Sequence, residues 1–518
     1  MSHIYDLAVV GSAFAGSLTA MIARKLGRSV VLIERGRHPR FAIGESSTPL
    51  ANLLLERLAQ RYDLPALAPF SKWGSWQAAH PDIGCGLKRG FTFYHHEFDR
   101  AFAPRPERDN ELMVAASPSD VIADTHWFRP DFDHFFQREA VTQGVAYHDE
   151  VSLTTAEIGP DEVRLAGSQR GKPVEFRARF VVDASGPRGF LHHALGLGER
   201  SYPDYPATQA LYSHFTGVQR WENLFPRNET PPFPPDDAAL HHAFPGGWMW
   251  VLRFNNGLTS AGVSVGDDLA RELRLSEGAP AWQRLLARLP SVARQFAQAT
   301  PVREFTHLPA LTFRSAQAVG DRWALLPSAA GFVDPLLSTG FTLTLLGVER
   351  LAALLANGPV PDRGELEDYA TAMDGDVTMA ADLIGALHRH LDRPAAFQAL
   401  LMLYFAAASF SETARRLERP QLAPGFLLRE HPPFSARFAQ ILHSVQSTGL
   451  NGKGLQQAVR EAVAPVDVGG WCNPARRNWY AVEFAPLYAA ADRLRSSREE
   501  IRAMLLRAGV AADQLPVD

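Results

Sequence analysis

The chain has 518 residues, 46% of them apolar, and a formal charge of −4, so it can bury a large core in two or three subdomains. So small a net charge, with no Lys/Arg block, argues against nucleic acid or an anionic membrane as partner and leaves small-molecule chemistry. Two cysteines, Cys85 and Cys472, exclude a disulfide framework and a cysteine-rich zinc site and fit a reducing cytoplasm, on which reading Asn228-Glu229-Thr230 is a chance glycosylation sequon.

In chain order, Leu7-Ala8-Val9-Val10 reads as a strand buried on both faces. Gly11-Ser12-Ala13-Phe14-Ala15-Gly16 then turns into an apolar helix. A second apolar strand, Ser29 to Ile33, ends at Glu34, twenty-three residues after Gly11, near where a dinucleotide fold places a carboxylate for a ribose hydroxyl. Gly11 allows the sharp turn, Ala13 keeps the backbone low for a pyrophosphate, and Gly16 lets helix and strand pack closely. The apolar stretch from Leu7 to Ala23 has no basic flank and contains two glycines, so it reads as core rather than as a signal peptide. No other stretch approaches a membrane span.

A helix follows over Leu50 to Tyr62, then a strand-like Cys85 to Phe93, and a helix entered through Arg129-Pro130-Asp131-Phe132. Val151 to Ile158 and Val163 to Leu165 form a hairpin pattern, and Arg179 to Asp183 is another buried strand before Ala184-Ser185-Gly186. From Ser201 to Glu304 the pattern changes to alternating strands, including Trp248 to Leu252, as in an inserted sheet subdomain. Its proline cluster from Pro226 to Pro235 reads as a plain connection rather than a lid. The first pattern returns at Gly320 to Gly340, with a helix from Phe341 to Ala356, and beyond Pro361 the chain is mainly helical, including Met379 to Leu391 and Ala395 to Ala408. The expected architecture is α/β: a Rossmann-like dinucleotide-binding domain over 1–360, interrupted by an inserted antiparallel sheet subdomain at about 201–304, and a helical C-terminal region over 361–518.

Arg35 and Ile43-Gly44-Glu45-Ser46 after Glu34 are not what a plain nicotinamide dehydrogenase carries. With Arg129, Val151, Asp183 to Gly186 and Asp334 to Gly340 they resemble the single-component flavin-monooxygenase fold across roughly residues 1–350. That resemblance implies FAD contacts at Gly11, Ser12, Ala13, Phe14, Ala15, Gly16, Glu34, Arg35, Ile43, Gly44, Glu45, Ser46, Arg129, Val151, Ser328, Asp334 and Phe341. It also implies that a helix N-terminus at Ser338, Thr339 and Gly340 offers backbone amides to the flavin ring, which can stabilise a reduced, anionic flavin or hold a halide ion.

Trp248-Met249-Trp250-Val251-Leu252-Arg253-Phe254-Asn255-Asn256 resembles the Trp-x-Trp-x-Ile-Pro signature of flavin-dependent halogenases, those of phenols and pyrroles above all, with Leu252 in place of isoleucine and Arg253 in place of proline. On a strand Trp248 and Trp250 share one face, which by spacing alone is as readily core packing. Lys88, an ammonium in an apolar strand, is unusual; matched to that family it falls on the catalytic lysine that meets hypohalous acid, with Arg89 facing the other way. Leu337 stands where the tryptophan-specific members carry a glutamate, so the likeness is to the phenol and pyrrole branch.

The resemblance implies that reduced FAD reacts with oxygen to a C4a-hydroperoxide, that chloride or bromide attacks it near Thr339 and Gly340, and that hypohalous acid travels inside the protein to Lys88. No second dinucleotide fingerprint follows Glu34, so a separate flavin reductase is expected to supply reduced flavin. The other partner expected is a small aromatic substrate, free or tethered to a carrier protein. The alternatives are an aromatic hydroxylase, a flavin-linked reductase of the geranylgeranyl type, and an inactive flavin-binding scaffold. The adjacent histidine pairs 95–96, 192–193 and 241–242 make poor metal sites, because strand neighbours point to opposite faces; His214 and His242 are candidates to line a substrate pocket. The tail after Pro361 is expected to cover that pocket or to form a dimer face.

Overall fold

The structure, a computed structural model, describes residues 3–227, 229–447 and 449–516, so Asn228 of the sequon lies outside the described residues. The opening unit forms as its residues predict: strand β1 (Ile4–Val10), helix α1 (Phe14–Lys25) and strand β2 (Val30–Ile33). Both strands end fully buried, so their apolar runs are continuous rather than alternating. β1 lies parallel to β2 on one side and to Lys172–Asp183 on the other; Trp323–Leu325 and Ala146–His148 extend the parallel sheet to either side. The hairpin of Val151–Ile158 and Val163–Gln169 hangs from Lys172–Asp183, and Val319–Gly320 beside Trp323–Leu325 completes eight strands.

A second, nine-stranded sheet stands beside it. Its centre is Thr208–Thr216, Thr259–Gly266, Gly247–Arg253 and Ala239–Phe244, as the alternation from Ser201 to Glu304 predicts. The sheet reaches beyond that segment, however: Gly90–His95 pairs parallel with Ala239–Phe244, and Glu111–Ala115 and Trp479–Tyr480 complete that side. Parallel pairing between strands far apart in sequence leaves no hairpin signal to read. The alternation is real. Trp248, Trp250 and Leu252 join the main core, while Met249 and Val251 face a second cluster with Phe215, Trp221 and Trp282.

Cys85 to Phe93 is two strands, Cys85–Lys88 and Gly90–His95, separated at Arg89 and placed in different sheets. The proline-rich connection is packed down, with Phe233 buried among Met113, Ala238 and Trp479. The helices beyond Pro361 are longer than expected: Arg363–His388 starts on a capping box of Asp362 and Glu365, whose polar first turns hide the periodicity, and Pro394–Arg416 follows. The helices Thr339–Asn357 and Pro394–Arg416 are long and apolar enough to cross a membrane by length and composition, but both are mostly buried within the protein. His192 and His193 sit on a short helix, Phe190–Ala194, not on a strand.

Candidate active site

The turn between β1 and α1 is built from close approaches. Gly11 has φ +96°, and a side chain on it would meet the Ala184 carbonyl at 2.7 Å; a Cβ on Gly16 would lie 1.9 Å from the Gly11 oxygen. Glu34, buried, accepts from the Ser12 amide at 3.0 Å, the Ser12 hydroxyl at 2.9 Å and the Gly36 amide at 2.8 Å, and pairs with Arg40 at 2.9 Å. Burial alone raises its carboxyl, but the Arg40 charge and these donors win and hold it at about 2. Beside it Arg40 Nε and His38 Nδ1 are buried without a protein partner. Val151 donates its amide to the Glu34 carbonyl at 2.9 Å, whereas Arg35 points to solvent. A glycine-lined cradle at a helix N-terminus, with orphaned polar atoms at its carboxylate end, fits a dinucleotide.

Arg129 gathers the middle of the site. Its guanidinium donates to both oxygens of Asp133 at 2.9 and 2.8 Å and to the carbonyls of Ile43 and Gly44 at 3.2 and 2.8 Å, and lies near the rings of Phe14 and Phe341. Asp133 in turn accepts from the Phe14 amide at 3.1 Å, so one carboxylate fastens the head of α1 to Arg129. Ala13 and Ala15 line the same turn, and Ala15 is buried in the core. Asp334 is buried and accepts from the Leu336 amide at 2.9 Å and from Ser264 at 2.6 Å, with His388 at 3.1 Å. These bonds shape the turn that leads to Ser338, which is left-handed at φ 53°, and to the helix Thr339–Asn357, whose start has no side-chain cap. Thr339 is buried, Gly340 is exposed with open space where a Cβ would stand, and Ser328 is half-buried on Pro327–Ala330.

Lys88 is fully buried. Its ammonium donates to Ser46 at 2.9 Å, to the Ser47 carbonyl, and at 3.4 Å to Ser338, and stands 4.0 Å from the centre of the Phe91 ring. Asp124 faces it directly across the antiparallel pair of Cys85–Lys88 with Asp124–Trp127. Burial pushes the lysine below and the aspartic acid above their usual ranges, each restrained by the other's charge. The neighbouring His126 and His241 are driven to about 3, mainly by burial, so the imidazoles around Lys88 are neutral. Arg89 turns away and pairs with Asp120 at 2.6 Å.

Trp248 and Trp250 share a face as expected, their ring centres 5.7 Å apart, and Trp250 fills the gap left by Gly262 on the adjacent strand. Trp248 meets His241, which stacks against Phe91 and Phe93, so two rings, His241 and Phe91, stand between Trp248 and Lys88. Arg253 is a clip: it pairs with Asp236 at 2.6 Å and donates to the carbonyls of Val218 and Gln219. Of the two candidate pocket histidines, His242 bonds His96 and Gln295 at 3.0 and 2.9 Å beside the second core cluster. His214 bonds Glu45 at 2.8 Å among Phe41, Phe128 and Phe254.

A cavity of about 230 Å³ opens beside Lys88, walled by Phe91, Asp124, Tyr404, Phe405, Trp471 and Phe484. Part of its lining comes from 468–487 and 504–510, so the tail covers it. Asp124, Asn52, Asp133, Ser264 and His388 are candidate site residues that no sequence motif pointed to. A lone Asp or Ser in a strand carries no motif, and only Asp133, four residues after Arg129, offered a helical-spacing signal.

The tryptophan halogenase family profile matches residues 115–396, more than half of the chain, and the protein belongs to that family. It is 32% identical over 359 residues, 68% of this chain and 62% of the relative, to the monodechloroaminopyrrolnitrin halogenase PrnC of Pseudomonas fluorescens. It is also 32% identical over 349 residues to the tetracycline 7-halogenase of Kitasatospora aureofaciens, 66% of this chain and 61% of that one, so the match spans less than two thirds of either relative. The crystal structure of halogenase PltM with phloroglucinol and FAD superposes with a TM-score of 0.83 at 25% identity, over 92% of this chain and all of that one. The fold is the FAD-binding, Rossmann-like fold of these halogenases.

Proposed function

We propose that the protein is a flavin-dependent halogenase of an electron-rich aromatic or pyrrole ring, with Lys88 as its catalytic lysine. The observation that carries this is the seat of Lys88: a buried amine touching Ser338 of the flavin-side turn on one hand and Phe91 of the cavity wall on the other. In this reading Gly11 to Gly16 and Glu34 hold the adenosine diphosphate end of FAD. Ile43 to Ser46, Arg129, Ser328, Asp334 and Phe341 flank its ring system, and Val151 lies at the adenine. Reduced FAD, supplied by a separate reductase, provides the chemistry that oxidises chloride or bromide with oxygen.

The protein's own part is positional and electrostatic. Backbone amides of Thr339 and Gly340, beside Ser338, hold the halide at a helix N-terminus. Lys88, its proton affinity lowered by burial, receives hypohalous acid by hydrogen bonding or as an N-haloamine with release of water, and points the halogen at the cavity. Trp248 and Trp250 wall the region between flavin and substrate. Incubation with reduced FAD, oxygen and a phenol, with and without bromide, tests the reading. A brominated product that depends on bromide, and that falls about a hundredfold or more in Lys88→Met while FAD binding persists, is expected. A hydroxylated product independent of bromide refutes it.

A further inference from the structure

Most of the cavity wall is apolar, and among its polar groups Asn52 and Asp124 form a buried pair. Asn52 donates its amide to Asp124 Oδ1 at 2.9 Å. Asp124 Oδ2 and Asn52 Oδ1 are left buried without a hydrogen-bond partner, and the two residues are only 6% and 2% exposed. Two unpaired acceptors in an apolar cavity are costly, and a fold keeps them where a ligand brings the donors. Both residues line the cavity. Asp124 also stands opposite Lys88 in an antiparallel pair, so the two side chains leave the same face of the ladder, with Cα atoms about 5 Å apart.

We infer that Asp124, supported by Asn52, is the specificity-determining acceptor of the substrate site: it takes the hydrogen of a hydroxyl or amino group borne directly on the aromatic ring and thereby presents the adjacent ring carbon to Lys88. The inference rests on the halogenase reading and deepens it. A ring anchored at Asp124 meets the lysine with its ortho carbon, because the para carbon points away from the shared face. In the transfer the O–X bond of the lysine-held hypohalous acid breaks and a C–X bond forms at that carbon. The displaced ring proton leaves with the released hydroxide as water. Asp124 draws the substrate's O–H or N–H proton toward itself and raises electron density on the ring. The groups facing Asp124 are Lys88 from the paired strand, Asn52 from Pro49–Arg61, and Tyr404, Glu412 and Arg416 from Pro394–Arg416. Burial raises its carboxyl, which suits a proton acceptor near neutral pH.

The test compares phenol, aniline and anisole with the FAD-loaded protein, first by calorimetric binding to the oxidised enzyme and then by bromination with a flavin reductase, oxygen and bromide. Phenol or aniline is expected to bind about tenfold tighter than anisole, the phenol and aniline arms telling O–H from N–H, and to be brominated mainly ortho. In Asp124→Asn, which keeps shape but replaces the free acceptor by a donor, that preference should fall to within about twofold. Anisole binding as tightly as both others in the wild-type protein, or an undiminished preference in the variant, overturns the inference. The wild-type comparison decides even if the variant does not fold. Failure to brominate any of the three rings while the binding preference holds would instead count against the halogenase reading and leave Asp124 as the anchor.

Discussion

Glu34 carries a stability that can be titrated. Its carboxyl is held at about 2 from an ordinary value of 4.5, because the Arg40 charge and the donors from Ser12 and Gly36 outweigh its burial. A folded-state value below the unfolded one means that the stabilisation is complete above pH 4.5 and is lost as pH falls through 2. At about 1.4 kcal/mol per unit the shift is worth about 3 kcal/mol near neutrality. Glu34→Gln keeps the shape and removes the charge. In flavin-free protein, urea unfolding should find the variant about 3 kcal/mol less stable at pH 7 and pH 5, narrowing to about 2 kcal/mol at pH 3.5. A deficit below about 1 kcal/mol at pH 7, or one that does not shrink below pH 4.5, refutes the reasoning.

Two further substitutions probe the scaffold. Gly16→Ala puts a methyl 1.9 Å from the Gly11 carbonyl, whereas Gly27→Ala at φ +79° meets nothing within 4 Å. The first should cost about 3 kcal/mol or more and abolish FAD binding, the second about 1 kcal/mol with FAD binding kept; equal denaturation midpoints would sink the close-packing argument. Arg253→Pro, which supplies the proline of the family signature, strands the buried Asp236 carboxylate and should destabilise by about 3–5 kcal/mol. Arg253→Met combined with Asp236→Leu should recover much of that loss in the same thermal or urea assay, and no recovery would show that the charge pair is not what the proline breaks.

Local chemistry was legible from the residues alone. The β1-α1-β2 unit follows from apolar runs and from glycines that only a tight turn requires. The pairing of Trp248 with Trp250 follows from the two-residue period of a strand, and the oddity of Lys88 from the cost of burying an amine. These properties act over a few residues, so a short window of sequence contains them. The tertiary structure decided where those pieces meet. Lys88 finds Ser46 and Ser338 from stretches 42 and 250 residues distant, and Asp124 opposite it on the strand it pairs with. Gly90–His95 joins a sheet most of whose strands lie beyond residue 200, and Arg253, a departure from the signature by sequence, is by structure a half-buried clip on the buried Asp236. Such contacts depend on complementarity between distant surfaces, which leaves no periodicity along the chain. For the same reason Asp124 and Asn52, with no motif around them, came into view only when folding left two acceptors unpaired in one cavity.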